Sequence, residues 1–363
     1  MVVGGDLLDL VRALIVPRPY TGGPVAATVR LLRRGYLAVA CRLGDDHRRD
    51  LVLAAGEPLL LLVRLVVWLA IGLVGFALLV WAADGGSFGS ALVDSGSSLF
   101  TLGFANGRDA GSKVVVFLGA AFGLVTVALQ IAYLPALYEA FNRRETLVTM
   151  LESRAGTPAW GPELLARHQL VGIGGNLPAL YADWERWSAD VAESHTTYPV
   201  LLWLRSPHPA NSWIVGLVAV LDAAALQLAF NPSTAPAEAR LCLRMGFTAL
   251  RDIARVMGLP FDPDPMPDAP LQLTFGELEE AVQRLRRAEV PLERSSEEAW
   301  PHFRGWRVNY EGTAAAVAAA IAAPAAPWGG PRPFAGPAPR PRRPVDRRPG
   351  QPQGNPGDGG PGS

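Results

Sequence analysis

The chain has 363 residues, of which 50% are hydrophobic and 18% charged, and its 33 basic and 33 acidic residues cancel to a formal net charge of zero. A neutral chain has no general electrostatic attraction for nucleic acid, so we expect no nucleic-acid partner. The two cysteines, Cys41 and Cys242, lie far apart and lack metal-ligand spacing, which is typical of a reduced cytoplasmic setting and speaks against a disulfide framework.

Residues 1–56 are predicted to form a cytoplasmic N-terminal segment with one amphipathic helix at 25–43. Apolar residues recur there at helical spacing, and arginines flank them: Val29, Leu32, Tyr36, Val39 and Leu43, beside Arg30, Arg33, Arg34 and Arg42. Arginine next to an apolar stripe is typical of a helix in the membrane interface, with membrane lipid as its partner. A soluble helix packed on the cytoplasmic domain is the alternative, and the pattern leaves both open.

Two long apolar segments follow, at about 59–83 and 114–138. A bilayer core takes roughly 20 apolar residues per helix, so both are candidate membrane spans. Their short connection is itself half apolar, with Leu92, Val93, Leu99, Phe100, Leu102 and Phe104. Such a connection predicts a re-entrant element, and backbone of this kind at membrane depth is tolerated where protein buries it or where it lines a water-filled path.

The connection contains the run Thr101-Leu102-Gly103-Phe104-Ala105-Asn106, with Ser98 three residues before it. This run resembles the filter of the potassium-channel superfamily, which is close to Thr-Val-Gly-Tyr-Gly-Asp. The resemblance covers about residues 59–141 and implies a two-span pore module at 57–141: an outer helix, a short pore helix, a filter and an inner helix. It also implies a homotetramer, because four filter loops supply the carbonyls that coordinate a monovalent cation, here potassium.

Two positions of the run depart from the family pattern. Ala105 replaces the second glycine, and Asn106 replaces the aspartate. Glycine adopts left-handed backbone conformations freely, whereas another residue loses roughly 1–2 kcal/mol there. The sequence therefore predicts an outer filter site that is reshaped by the Cβ of Ala105.

The second apolar segment carries a stripe of small and polar residues. Gly119, Gly123, Thr126 and Gln130 recur at intervals of four, three and four residues, so they share one face of a helix. As an inner helix, this segment would line the pore with that face, and Gly123 would act as a hinge. The alternative is a small-residue packing face between helices.

Charged residues near the spans predict their orientation. Arginines cluster before the first span and after the second, whereas the connection is acidic on balance: Arg30, Arg33, Arg34, Arg42, Arg48 and Arg49; Arg143, Arg144 and Arg154; Asp84, Asp94 and Asp109. The positive-inside rule then predicts a multi-pass protein of the cell membrane with both termini in the cytoplasm. The filter loop would face outward.

Residues 142–323 are predicted to form a helical cytoplasmic domain, with helices at 161–171, 177–193, 237–257, 275–288 and 314–323. Thr274 and Glu277 form a capping box for the fourth of these. The segment 213–230 is long enough to span a membrane, but Asp222 at its centre costs roughly 2.5–3.5 kcal/mol there. We interpret it as a buried central helix with Asp222 paired inside the domain, and a third span is the alternative. Residues 324–363 are rich in Pro, Gly and Arg, which predicts a disordered tail.

Two functions are compatible with these patterns. The first is a tetrameric potassium-type cation channel with a cytoplasmic regulatory or assembly domain. The second is a two-span membrane anchor with a partner-binding cytoplasmic domain and a degenerate, non-conducting filter. The histidines are scattered and no nucleotide or metal motif occurs, so we expect no catalytic residue, no enzyme activity and no cofactor. The expected fold class is an all-α membrane protein.

Overall fold

The computed structural model describes residues 23–104 and 107–331, and over these the chain is entirely helical, with no β-strand. Two short 3-10 helices also occur, Gly174–Asn176 and Pro199–Trp203. The α-helices are α1 (Gly23–Arg42), α2 (Asp46–Asp84), α3 (Phe88–Leu99), α4 (Ala110–Ala155), α5 (Gly161–Leu170), α6 (Leu177–Thr197), α7 (Trp213–Phe230), α8 (Ala237–Met257), α9 (Phe275–Arg287), α10 (Ser296–Arg307) and α11 (Glu311–Ala320).

Three of these helices, α2, α4 and α7, are long and apolar enough to cross a membrane. Their surroundings differ. In α7, 94% of the most apolar window is buried inside the chain, against 33% in α2 and 28% in α4. At about 1.5 Å per residue the 39 residues of α2 and the 46 of α4 extend well beyond a hydrocarbon core of about 30 Å. Part of each helix therefore lies outside any membrane that it crosses.

Helix α1 confirms the predicted helix and packs along the first half of α2. Val25 lies against Trp68, whereas Ala40 lies against Leu53, so the two helices run antiparallel. The ring of Tyr36 fills the space above Gly56, where a Cβ would come within 2.8 Å of it.

Helix α1 also contacts the domain that follows α4, since Ala40 packs with Ala322 and Arg33 lies over the ring of Trp203. The alternative of a helix packed on that domain is therefore met in part, and the placement in the membrane interface stays a prediction.

Helix α7 is the centre of the domain that follows α4. It contacts α4, α5, α6, α8, α10 and α11. Its side chains belong to one large apolar cluster that includes Leu164, Trp184, Leu250 and Phe303. A helix that is apolar all round must be covered on all sides, and these helices cover it. The predicted burial of this segment inside the chain is confirmed.

Asp222, in the middle of α7, has charged and polar partners on α10 and just after it. The Arg307 guanidinium forms an ion pair with its carboxylate, and the Tyr310 hydroxyl donates to it at 2.6 Å. Arg307 also donates to Glu311 at 2.8 Å and to the Trp328 carbonyl at 3.0 Å. The predicted pairing of Asp222 within the fold is confirmed, and Arg307 is its partner.

Arg307→Met is expected to lower the free energy of unfolding by about 3–5 kcal/mol, because it leaves the buried Asp222 carboxylate without a counter-charge. The matched control is Arg186→Met. Arg186 is 77% exposed and pairs with Asp183 at 3.0 Å, so its loss should cost under about 1 kcal/mol. Urea unfolding of the full chain in mild detergent, followed by tryptophan fluorescence, measures both. Equal losses in the two variants would contradict the buried network.

Two features of the domain had not been predicted from the sequence. Helix α10 begins with a capping box, in which the Ser295 hydroxyl accepts from the Glu298 N–H and the Glu298 carboxylate accepts from the Ser295 N–H at 2.9 Å. The Ser-x-x-Glu spacing at 295–298 is the sequence signal from which this capping box could have been predicted. The packed fold also continues through residues 324–331, since Trp328 stacks edge-on against Trp160. The remainder of the predicted tail, 332–363, lies outside the described residues.

Candidate functional site

The site begins with α3, which packs against both α2 and α4. The Ser87 hydroxyl caps the N-terminus of α3 by accepting from the Ser90 N–H at 3.2 Å. Serine hydroxyls on the buried face bind the backbones of both neighbours: Ser95 donates to the Leu73 carbonyl of α2 at 3.1 Å, and Ser98 donates to the Val116 carbonyl of α4. These short polar side chains let α3 approach the two long helices closely while their hydroxyls remain satisfied.

The C-terminal end of α3 lies against α4 at Gly123, in the first third of that helix. A Cβ placed on Gly123 would overlap the Leu99 carbonyl oxygen, so glycine is required for this contact. Gly123 is about 20 Å along α4 from its first residue, at about 1.5 Å per residue. Helix α3 therefore starts near the end of α2 and runs back alongside the two long helices, to this depth.

Residues 101–104 follow directly and are exposed in the single chain, with Leu102 at 63% and Phe104 at 68% exposure. Thr101 has a φ of 55° and Gly103 a φ of 72°. A positive φ is uncommon for a β-branched residue and stores roughly 1–3 kcal/mol of strain, which clusters at functional sites. The N–H groups of Leu102 and Gly103 both donate to the Ser97 carbonyl, at 2.8 and 3.3 Å, and hold this strained turn to α3.

The predicted filter is thus described only in part. Thr101, Leu102, Gly103 and Phe104 form one exposed turn at the end of α3, whereas Ala105 and Asn106 lie outside the described residues. The assignment of these residues as a filter stays a prediction.

The predicted pore-lining residues Gly119, Gly123, Thr126 and Gln130 are all buried within the single chain. Gly119 lies beside Ser98 and Phe76, and the Thr126 hydroxyl donates to the Phe122 carbonyl at 2.8 Å. This face of α4 therefore supports α2 and α3 within one chain. Large apolar side chains are exposed on the other faces of the 114–138 part of α4: Val114, Phe117, Leu118, Leu124, Val125, Val127, Ile131 and Tyr138.

Helix α4 continues without a break through Pro135 into the domain, where Arg144 anchors it. The buried Arg144 guanidinium donates to the carbonyls of Leu201 and Leu204, at 2.7 and 2.8 Å. Burial beside this guanidinium holds the pKa of His195 well below its usual range, so the neutral ring can accept from Arg144 at 3.2 Å. From the sequence, Arg144 was recognised only as a charge near the end of the second span.

The 199–205 segment, which Arg144 contacts, also binds α1 and the N-terminal part of α2. The Glu57 carboxylate is buried and accepts two hydrogen bonds from Arg33, at 2.6 and 2.9 Å, and one from the Tyr36 hydroxyl at 2.6 Å. The Arg33 guanidinium lies 3.8 Å from the ring centroid of Trp203. Arg205 donates to Asp50 at 2.9 Å. The N-terminal helices and the 199–205 segment therefore form one connected unit with α4.

Fold and site together define an all-helical protein whose three long apolar helices are compatible with a membrane protein. Among residues 23–104 and 107–331, no group of three His, Cys, Asp or Glu side chains is arranged to hold a metal ion. Comparisons with protein-family models, with curated proteins and with solved structures gave no match.

Proposed function

We propose that this protein is a tetrameric, potassium-type cation channel of the cell membrane, with α2 and α4 as its spans and the helical domain in the cytoplasm. The observation that carries the proposal is the position of the strained turn at 101–104. It follows a helix that packs on both candidate spans and ends against Gly123, about 20 Å from the start of α4. Irregular, exposed backbone is expected at such a depth only where it lines a water-filled path or is covered by protein.

The electrostatics of α3 favour a cation at this turn. The C-terminal end of a helix carries a partial negative charge, and in a tetramer four such ends would converge on the turns that follow them. Backbone carbonyls of residues 101–104 would replace the hydration shell of the ion. Ser95 and Ser98 hold α3 against its neighbours and would fix the position of these carbonyls.

The outer surfaces of α2 and α4 support assembly in a bilayer. Large apolar side chains are exposed along both helices, including Leu62, Val66, Leu78, Phe117, Leu124 and Ile131. Such surfaces suit lipid or a second copy of the chain. In this arrangement the cavity below the filter would be lined by exposed apolar residues of α4, while the Gly119–Gln130 stripe supports the filter from behind.

The distribution of arginines and the contacts of α2 and α4 with the domain together support a topology with both termini in the cytoplasm. The N-terminal end of α2 and the C-terminal end of α4 both bind the 199–205 segment, through Asp50 and Arg144. The arginine-rich segments therefore lie on one side of the spans, and the positive-inside rule assigns that side to the cytoplasm.

The alternative is a two-span anchor with a partner-binding domain. The burial of Gly119, Gly123, Thr126 and Gln130 inside the single chain is compatible with it, because this face of α4 then serves only to pack the helices of one chain together.

Mass measurement and flux separate the two functions. The purified full chain in mild detergent is expected to be a tetramer, because one chain supplies one quarter of the filter. In liposomes it should conduct potassium faster than sodium. A monomer or dimer without cation flux would contradict the channel and leave the anchor.

A further inference from the structure

The helical domain contains a cavity of about 290 Å³, and none of its lining residues belongs to α3 or to the turn at 101–104. It lies between the C-terminal part of α5, the start of α6, the end of α7 and the turn that follows α9. Its wall is mainly apolar, with Leu165, Leu177, Leu226, Phe230 and Leu285. Ligand pockets span roughly 300–1,000 Å³, so this volume, at the lower limit of the range, suits only a small molecule.

One polar group lies deep in the wall. His168 is only 2% exposed, and its Nδ1 is 2.8 Å from the Leu164 carbonyl, which assigns the proton to Nδ1. Nε2 is then an acceptor. Burial lowers the pKa of His168, so the ring is uncharged at neutral pH. The interior of the cavity therefore carries no positive charge that would repel a cation, and Nε2 can accept a hydrogen bond from a donor.

A fixed carboxylate lies at the mouth. Glu293 accepts from the Ser233 N–H at 3.2 Å, from the Ser233 hydroxyl and from the Thr234 hydroxyl at 3.3 Å. The hydrogen bonds from Ser233 lower the pKa of Glu293, so the group is ionised. The neighbouring Arg294 donates instead to the Ala229 carbonyl at 3.0 Å. Among the residues that line this cavity, Glu293 carries the only charge at neutral pH.

The backbone around this carboxylate is also held in place. The Asn231 side chain donates to the Pro291 carbonyl at 2.9 Å and accepts from the Glu293 N–H at 3.2 Å. The mouth is thus built by two segments, 231–234 and 290–293, that are bonded to each other.

We infer that this cavity binds a small organic amine in its ammonium form, with the apolar body among the leucines and Phe230 and the ammonium group at Glu293. An organic anion would meet the carboxylate of Glu293, and a purely apolar molecule would gain nothing from it. This binding requires nothing from the pore, so it stands or fails independently of the channel.

The test is calorimetric titration of the full chain in mild detergent with phenethylamine and with 3-phenylpropionate, an anion of similar size. We expect saturable binding of phenethylamine and at least tenfold weaker binding of the anion. Glu293→Gln should weaken phenethylamine binding about threefold to fivefold, since ion pairs of exposed groups are weak. Glu289→Gln makes the same charge change on an exposed residue outside the cavity and should leave binding unchanged.

Some of the amine partitions into the detergent micelles and contributes to the measured heat. Because all variants are titrated in the same detergent, this contribution is equal in each and cancels in the comparison. Absence of saturable phenethylamine binding up to about 10 mM would overturn the inference. So would equal affinity for the anion, or an equal loss of affinity in Glu293→Gln and Glu289→Gln. Each of these results leaves the flux and mass measurements of the proposed channel unaffected.

Discussion

Gly103→Ala is expected to abolish cation flux in liposomes. Gly103 has a φ of 72°, where an alanine Cβ costs roughly 1–2 kcal/mol. In a tetramer the cost is repeated in every subunit, at a turn that already stores strain at Thr101. The turn should relax toward a backbone that no longer directs its carbonyls to a common ion. The measurement is potassium flux at equal protein density, with tetramer content verified for each sample.

The chain offers a closely matched control for this change. Gly172 has a φ of 73° and, like Gly103, has open space where a Cβ would be added, but it lies in a turn after α5. Gly172→Ala therefore introduces the same strain outside the candidate filter and should conduct as the wild type does. If Gly103→Ala also conducts normally, residues 101–104 do not form a filter, and the anchor function is favoured.

Gly123→Ala is expected to abolish flux as well, and to lower the thermal stability of the membrane part. Its Cβ would overlap the Leu99 carbonyl, which is backbone and cannot rotate away. Overpacking of this kind costs typically about 1–3 kcal/mol. Because α3 would be displaced from α4, the turn that follows Leu99 would move with it. Flux and the midpoint of thermal unfolding in detergent measure the two effects.

Gly119→Ala is the control for Gly123→Ala, one turn earlier on the same face of α4. A Cβ there would lie 3.4 Å from the Ser98 hydroxyl and 3.5 Å from the Phe76 ring, which is close to ordinary contact. Both changes replace a helical glycine by alanine, so their effects on helix propensity cancel in the comparison. We expect Gly119→Ala to retain flux. Similar behaviour of the two variants would mean that the Leu99 contact does not position the turn.

The two experiments separate the filter from its support. Loss of flux in Gly103→Ala with normal thermal stability would locate the defect in the turn itself. Loss of both flux and stability in Gly123→Ala would locate it in the packing of α3. A chain that is tetrameric yet conducts in neither wild type nor variants would be a membrane anchor with a degenerate filter.

Local sequence patterns were sufficient for most of the helices. The apolar runs predicted the central parts of α2 and α4, helical periodicity predicted α1, and the Thr274–Glu277 capping box marked the start of α9. These signals need only residues within a few turns of one another. The burial cost of Asp222 likewise required a partner inside the fold, but it did not identify that partner.

Tertiary structure alone decided which groups meet. The partner of Asp222 is Arg307, 85 residues further along the chain, and the anchor of α4 is Arg144 on carbonyls 57 and 60 residues away. The sequence showed that Gly119, Gly123, Thr126 and Gln130 share a face, but only the fold directed that face toward α2 and α3. Periodicity determines the face a residue occupies on its own helix, whereas the neighbour of that face depends on how distant helices pack.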